Sequence, residues 1–154
     1  MSTLIFMMGE FEAEFPSDIR YADNHMWVRQ VDGQADQFQF GFTAYAVRLL
    51  QDVYFLDWLL DAPADLKSGQ EIGSIESKKA ESSLYAPAAG ELLTFNDELM
   101  EDPSAINVDK YGDGWLFTMK TAGSPDFMDA KGYLSYLEEV WVKTQRTIKG
   151  QLND

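Results

Sequence analysis

Gln70–Glu91 reads QEIGSIESKKAESSLYAPAAGE. Ile72 and Ile75 mark one short strand, Leu84 and Tyr85 a second, and Pro87 to Gly90 closes the stretch with a turn. Between the strands stand Glu76, Ser77, Lys78, Lys79, Ala80, Glu81, Ser82 and Ser83, small or charged residues with little to bury. That pattern places Lys78 and Lys79 at the exposed tip of a hairpin. Two readings of such a tip stay open on the residues alone. In one, the lysines of a solvated turn serve only solubility. In the other, one lysine is a modification site, because a lysine on a stiff exposed bend is open to an acylating enzyme and presents a bulky acyl group clear of the body.

Working outward, 154 residues with 45% apolar content suit one domain large enough for a core without disulfides. Ten Phe, seven Tyr and four Trp argue for a folded globule over a disordered acidic chain. The absence of cysteine excludes a disulfide framework, a zinc–thiolate site and a cysteine nucleophile, so any redox chemistry must come from an attached or bound group. A net charge of −14 opposes contact with nucleic acid or an anionic membrane, both of which need clustered cations. Such acidity fits docking on a basic enzyme surface, and equally fits solubility or a saline habitat. The apolar run Leu4–Met8 lacks a basic leading segment and is followed by Glu10, Glu12 and Glu14, which is neither a signal peptide nor a membrane span; the expected location is the cytoplasm.

Taken in order, residues 1–20 form an acidic, Phe-dotted N-terminal extension that either adds a strand or lies on the surface. Residues 21–123 carry the strand-rich part. His25–Val28 starts a strand, Val31-Asp32-Gly33 turns it, and Phe38, Phe40 and Phe42 alternate with Gln37, Gln39 and Gly41 as a strand with one aromatic face. Thr43 is placed to cap a helix over Ala44–Leu50, with Ala46, Leu49 and Leu50 inward. Val53–Leu60 returns to strand, and Asp61–Gly69 reads as a loop. After the opening hairpin, Leu92, Leu93 and Phe95 make another strand. Asn96 can cap a short helix through Leu99 and Met100, stopped near Pro103. Tyr111–Gly114 turns into a strand over Trp115–Met119. Residues 124–154 are read as helices packed on the same domain: Ser124-Pro125-Asp126 has a helix-start pattern, and Leu134, Leu137, Trp141 and Ile148, widened by Tyr136 and Val140, form the stripe of a longer helix. The expected fold is mostly β, with helices at the end.

No catalytic constellation emerges. His25 is the only histidine and has no cysteine partner for a common metal triad, so a structural hydrogen-bonding role beside Trp27 is the simpler assignment. Carboxylates are abundant, but no spacing singles out an acid–base pair. Asp57, Asp61 and Asp65 recur at helical spacing with Pro63 among them and make no calcium loop. Gly112 and Gly114 are not followed by the residues of a phosphate loop.

The order of features resembles the H protein family of the glycine cleavage system. The resemblance rests on His25, Trp27 and Val28; Gly41, Thr43 and Ala46; Asp52-Val53; Glu76-Ser77 and Lys79-Ala80; Leu84 to Pro87 with Gly90-Glu91; Asn96, Pro103 and Asn107; and Tyr111-Gly112 with Gly114-Trp115. It spans about Tyr21 to Val140. Glu-Ser-x-Lys-Ala followed by Tyr-Ala-Pro and Gly-Glu is specific in combination, and the Met residues that flank a biotinylated lysine are missing. The resemblance implies a flattened β barrel or sandwich of the lipoyl-domain type with a C-terminal helical cap. It implies a non-enzymatic carrier whose Lys79, the lysine followed by Ala80, bears lipoate on an arm of roughly 14 Å. Glu76, Ala80 and Glu81 become candidates for recognition by a lipoate ligase or lipoyl transferase, and Asn24, His25, Met26 and Ser83 for a pocket that receives the arm.

Two departures bear on cargo. The family places an acid after its histidine, where this chain has Met26, and another four residues after the lipoyl lysine, where it has Ser83. Each missing acid removes a charge-assisted hydrogen bond to a protonated amine, about 1.5–3 kcal/mol. Lys78 replaces the usual Val, Gln51 stands where a glycine usually ends the short helix, and the last helix runs on with Lys143, Arg146 and Lys149. These differences lead to the expectation of a carrier specialised for sulfur oxidation, working beside a heterodisulfide-reductase-like complex and dihydrolipoamide dehydrogenase. The alternatives are a glycine cleavage carrier of the aminomethyl group, served by the glycine cleavage enzymes, and a lipoyl depot or unmodified interaction module.

Overall fold

A computed structural model describes residues 3–121 and 125–153, with side chains as far as Lys143. Eleven strands and four helices are described, in the order β1 (Thr3–Met8), β2 (Phe11–Pro16), β3 (Arg20–Tyr21), β4 (Met26–Gln30), β5 (Gln37–Phe42), α1 (Ala44–Leu50), β6 (Val53–Trp58), β7 (Ala64–Leu66), β8 (Glu71–Ser77), β9 (Glu81–Tyr85), β10 (Gly90–Phe95), α2 (Glu98–Glu101), α3 (Ala105–Val108), β11 (Phe117–Thr121) and α4 (Ala130–Asn153). A six-stranded sheet of order β3-β4-β5-β11-β10-β7 faces a three-stranded sheet of order β6-β8-β9, and β1-β2 forms a separate hairpin. The fold is thus the mostly-β, lipoyl-domain-like architecture expected, with short helices and a C-terminal helix.

Period-two patterning explains the main core. Phe40 and Phe42 point inward from β5 and meet Val28, Leu92, Phe117 and Met119 of the same sheet and Leu56, Ile72, Ile75 and Leu84 of the facing one. Each fully buried side chain of this kind stabilises the fold by about 1.5–3 kcal/mol relative to exposure. On the other side of β5, Gly41 pairs with Trp27, and a Cβ there would lie 2.5 Å from the indole. The missing side chain is what lets Trp27 lie flat on the strand and donate its indole N–H to the Lys110 carbonyl at 2.8 Å.

A second core forms between the N-terminal hairpin, α1 and α4. Phe6, Met8, Ala13, Phe15 and Ile19 pack with Tyr21, Trp27, Tyr45, Tyr133 and Leu137. The leader is therefore a packed hairpin on the α1–α4 side, with Glu10, Glu12 and Glu14 turned outward.

Several local expectations need correction. The buried side of α1 is Ala44, Tyr45, Val47 and Leu50, and Ala46 and Leu49 are only partly buried, because the helix is covered by the hairpin and α4 as well as by the sheet. Asp61–Gly69 is not all loop: Ala64–Leu66 pairs with β10 as an edge strand. Asn96 does not cap α2 with its side chain; its amide is spent on the carbonyls of Asp113 and Trp115 at 2.9 and 2.8 Å. Pro125–Phe127 is not helical, since Met128 first exchanges backbone hydrogen bonds with Tyr21 and the helix starts only at Ala130. Ser124, the first residue of that helix-start pattern, lies outside the described residues, as do the side chains of Ile148, Arg146 and Lys149. Leu137 is buried in the stripe of α4 as expected, but Tyr133 is its other buried anchor, with Leu134, Tyr136, Val140 and Trp141 partly buried. Among the described residues no helix is long and apolar enough to cross a membrane.

Candidate functional site: a lysine hairpin beside an apolar groove

The strands β8 and β9 pair antiparallel, with Glu76 opposite Glu81, and leave Lys78, Lys79 and Ala80 as the tip. Ser77 closes the bend. Its backbone N–H donates to the Ala80 carbonyl at 2.9 Å, its hydroxyl donates to the same carbonyl at 3.0 Å, and the Ala80 N–H returns a bond to that hydroxyl at 3.2 Å. From outside the hairpin, the Asp52 carbonyl accepts the Lys78 N–H at 2.8 Å. The tip is rigid at its base while both lysine side chains stand exposed, and neither forms an ion pair with another described residue.

Asp52 is itself held. Gln51 ends α1 with φ 60° and ψ −137°, a conformation that suits glycine. The Asn107 side chain clamps it, donating to the Gln51 carbonyl at 2.6 Å and accepting the Val53 N–H at 2.9 Å. The non-glycine at this position thus does not bring a different cap geometry: Gln51 takes a glycine-type conformation, supported from α3.

Beside the tip lies a groove of about 320 Å³. Asn24, His25 and Met26, and Ser83 far from them in sequence, all line it, together with Ala80 and Glu81 of the hairpin. Its remaining walls are mainly apolar, from Phe42, Ala46, Leu49, Leu50 and Ile75. Glu76 is partly buried and does not line it, and Tyr85, which does, is 46% exposed. The Asn24 amide donates to the Tyr85 carbonyl at 3.1 Å, while its Oδ1 is buried with no partner. The Ser83 hydroxyl donates to Glu71 Oε2 at 2.9 Å, so the carboxylate missing at position 83 is present one hydrogen bond away. Sequence reasoning missed Glu71, because only the bulged register of β8 against β9 brings it to Ser83.

His25 occupies the left-handed region at φ 68°, stacks on Tyr45 at 4.7 Å and shares a 2.8 Å hydrogen bond between Nδ1 and the Tyr133 hydroxyl. Burial lowers its pKa to about 4, opposed in part by Asp23, so the ring is neutral near pH 7. The Tyr133 hydroxyl is also 3.0 Å from Thr43 Oγ1, and burial holds its pKa well above the ordinary tyrosine value. Tyr133 therefore ties α4 to the groove wall and to the N-terminus of α1, a link that the local pattern around residue 133 did not signal. Among the described residues no group of His, Asp or Glu side chains is placed to hold a metal ion.

The family model for the glycine cleavage H-protein matches residues 19–143. The chain is 40% identical over 131 residues to the glycine cleavage system H protein of Pseudoalteromonas atlantica, covering 82% of this chain and 98% of that protein. It is 40% identical over 125 residues to the one from Chromobacterium violaceum, covering 79% and 94%. The crystal structure of a glycine cleavage system H protein from Mycobacterium marinum superposes with a TM-score of 0.69 at 30% identity, covering 81% of this chain and 98% of that one. With a match running through the hairpin, the groove and most of α4's described side chains, the chain belongs to the glycine cleavage H-protein family.

Proposed function

We propose that this protein is a lipoyl carrier of a glycine cleavage system, acylated on Lys79 and carrying the aminomethyl group between the glycine cleavage enzymes, with dihydrolipoamide dehydrogenase as the partner that would reoxidise the emptied arm. The observation that carries the reading is the exposed Lys79 at a braced tip directly beside a mainly apolar groove. When attached, lipoate supplies the dithiolane sulfur of which the cysteine-free chain has none. The groove fits such a group: its apolar walls suit a hydrocarbon arm, and the unpartnered Asn24 Oδ1 offers an acceptor to an arm N–H. Ala80 and Glu81 lie both next to Lys79 and in the groove wall, so an arm rooted there can fold back without a change in the body.

The relatives support glycine cleavage over the sulfur-oxidation branch suggested by Met26 and Ser83, and they give no support to heterodisulfide-reductase-like partners. The contact between Ser83 and Glu71 weakens the argument for that branch, because it holds a carboxylate one hydrogen bond away from the groove wall. Met26, only 2% exposed, remains an apolar replacement.

The test is intact-mass measurement after incubation with a lipoate ligase, lipoate and ATP, followed by a glycine decarboxylation assay. One lipoyl group is expected on the wild type and on Lys78→Arg, and none on Lys79→Arg. Modification at Lys78, or a lipoylated protein that accepts no aminomethyl group, defeats the proposal. Met26→Glu is expected to raise aminomethyl loading, through the carboxylate it restores to the groove.

A further inference from the structure

β6 is one of the two outer strands of the sheet β6-β8-β9, and its burial does not alternate. Its register against β8 runs from Val53 opposite Ser77 directly to Phe55 opposite Glu76, leaving Tyr54 as the extra residue of a bulge. Strict alternation from buried Val53 would turn Phe55 inward. The bulge instead leaves two successive aromatics outside, Tyr54 at 62% and Phe55 at 45% exposure. Phe55, Glu76 and Glu81 are aligned across the three strands, one strand register below the lysine tip. Glu76 and Glu81 are opposed across β8 and β9, a like-charge pair that costs stability. Asp52 and Asp57, both exposed, flank the aromatic pair in sequence.

Position separates this surface from the arm groove. The groove opens along β9, whereas the aromatic pair lies on β6, at the opposite edge of the same sheet. An enzyme that acts on the free end of a long arm need not touch the hairpin. An enzyme that acylates the lysine must bring its own reacting atoms within one lysine side chain, about 6 Å, of the tip. Its surface therefore covers the neighbouring strand.

Resting on the assignment of Lys79 as the lipoylated residue, we propose that Tyr54 and Phe55, rimmed by Asp52, Asp57, Glu76 and Glu81, are the docking anchor for the lipoate-attaching enzyme. The complementary chemistry is an apolar socket in a basic surface around that enzyme's active-site mouth. In the reaction it serves, the Lys79 amine forms an amide with the carbonyl of an activated lipoyl mixed anhydride. The bond from that carbonyl to the phosphate leaving group breaks, and the amine loses a proton.

The test compares initial rates of lipoylation, read by intact mass, for the unmodified full chain, for Tyr54→Ser/Phe55→Ser, for Tyr54→Gln alone and for Leu59→Ser. Leu59 is as exposed as Tyr54 but lies beyond the end of β6. The double variant is expected to lose about tenfold in kcat/KM through KM, the loss typical of an interface anchor, with Tyr54→Gln losing part of it and Leu59→Ser unchanged. Thermal melts check that each variant is folded; were the double variant unfolded, Tyr54→Gln alone decides. Rates equal to wild type in the folded Tyr54 variants, or an equal loss in Leu59→Ser, overturn the docking proposal. A wild-type chain that acquires no lipoate defeats the carrier assignment instead.

Discussion

His25 links backbone conformation, burial and protonation in one residue. Its φ of 68° is held by the 3.1 Å bond from the Thr43 N–H to the His25 carbonyl and by the ring contacts to Tyr45 and Tyr133. Its folded pKa of about 4 lies below the ordinary 6.5, so as pH falls the unfolded chain takes up the proton first. The stability due to the neutral ring is complete above pH 6.5, is lost progressively between 6.5 and 4, and is level below that. Urea titrations should therefore show wild type losing about 3 kcal/mol more than His25→Asn across that window, with asparagine chosen because it tolerates positive φ. Gln51 is the second strained residue. Gln51→Gly relieves a backbone cost of about 1–3 kcal/mol against some loss of unfolded-state entropy, and a higher urea midpoint worth about 1 kcal/mol at unchanged slope is the expected outcome.

At the scale of elements, α1 is fixed at both ends. Thr43 Oγ1 accepts the Ala46 N–H at a long 3.4 Å and meets the Tyr133 hydroxyl at 3.0 Å, while Ala44 N–H donates to the Tyr111 hydroxyl at 3.0 Å. Tyr111 in turn donates to the Glu14 carbonyl of the leader hairpin at 2.7 Å. Thr43→Val removes a cap and one of the two hydrogen-bond partners of the buried Tyr133 phenol, leaving it only His25, and should cost about 2 kcal/mol by chemical denaturation, most of it restored in Thr43→Ser. The pairing of β4 with β5 depends on Gly41 in a different way. Gly41→Ala forces a methyl into the Trp27 ring, and a loss of about 1–3 kcal/mol with altered tryptophan fluorescence is expected.

At the scale of the molecule, two cores meet across β4. One is the sandwich interior, and the other is roofed by the N-terminal hairpin. Phe15 is central to the second, with its ring 6.0 Å from Tyr21 and 5.4 Å from Tyr133. Because Tyr133 also holds His25, loosening the hairpin reaches the groove. Phe15→Ala should cost about 3–5 kcal/mol in a thermal or urea melt, and should shift the NMR signals of Asn24 and Met26 in the groove even where the protein stays folded.

Local pattern alone determined the hairpin of β8 and β9, the aromatic face of β5 and the Thr43 cap. Each of these depends on side-chain alternation or on backbone groups within a few residues, which neighbours in the chain encode. The late start of α4, the outward turn of Phe55, the approach of Glu71 to Ser83 and the convergence of residues 24–26 with residues 42–50 and 80–85 were decided only by the tertiary structure. They depend on register between strands and on which apolar surfaces cover one another, and those contacts form between segments whose local preferences carry no information about each other.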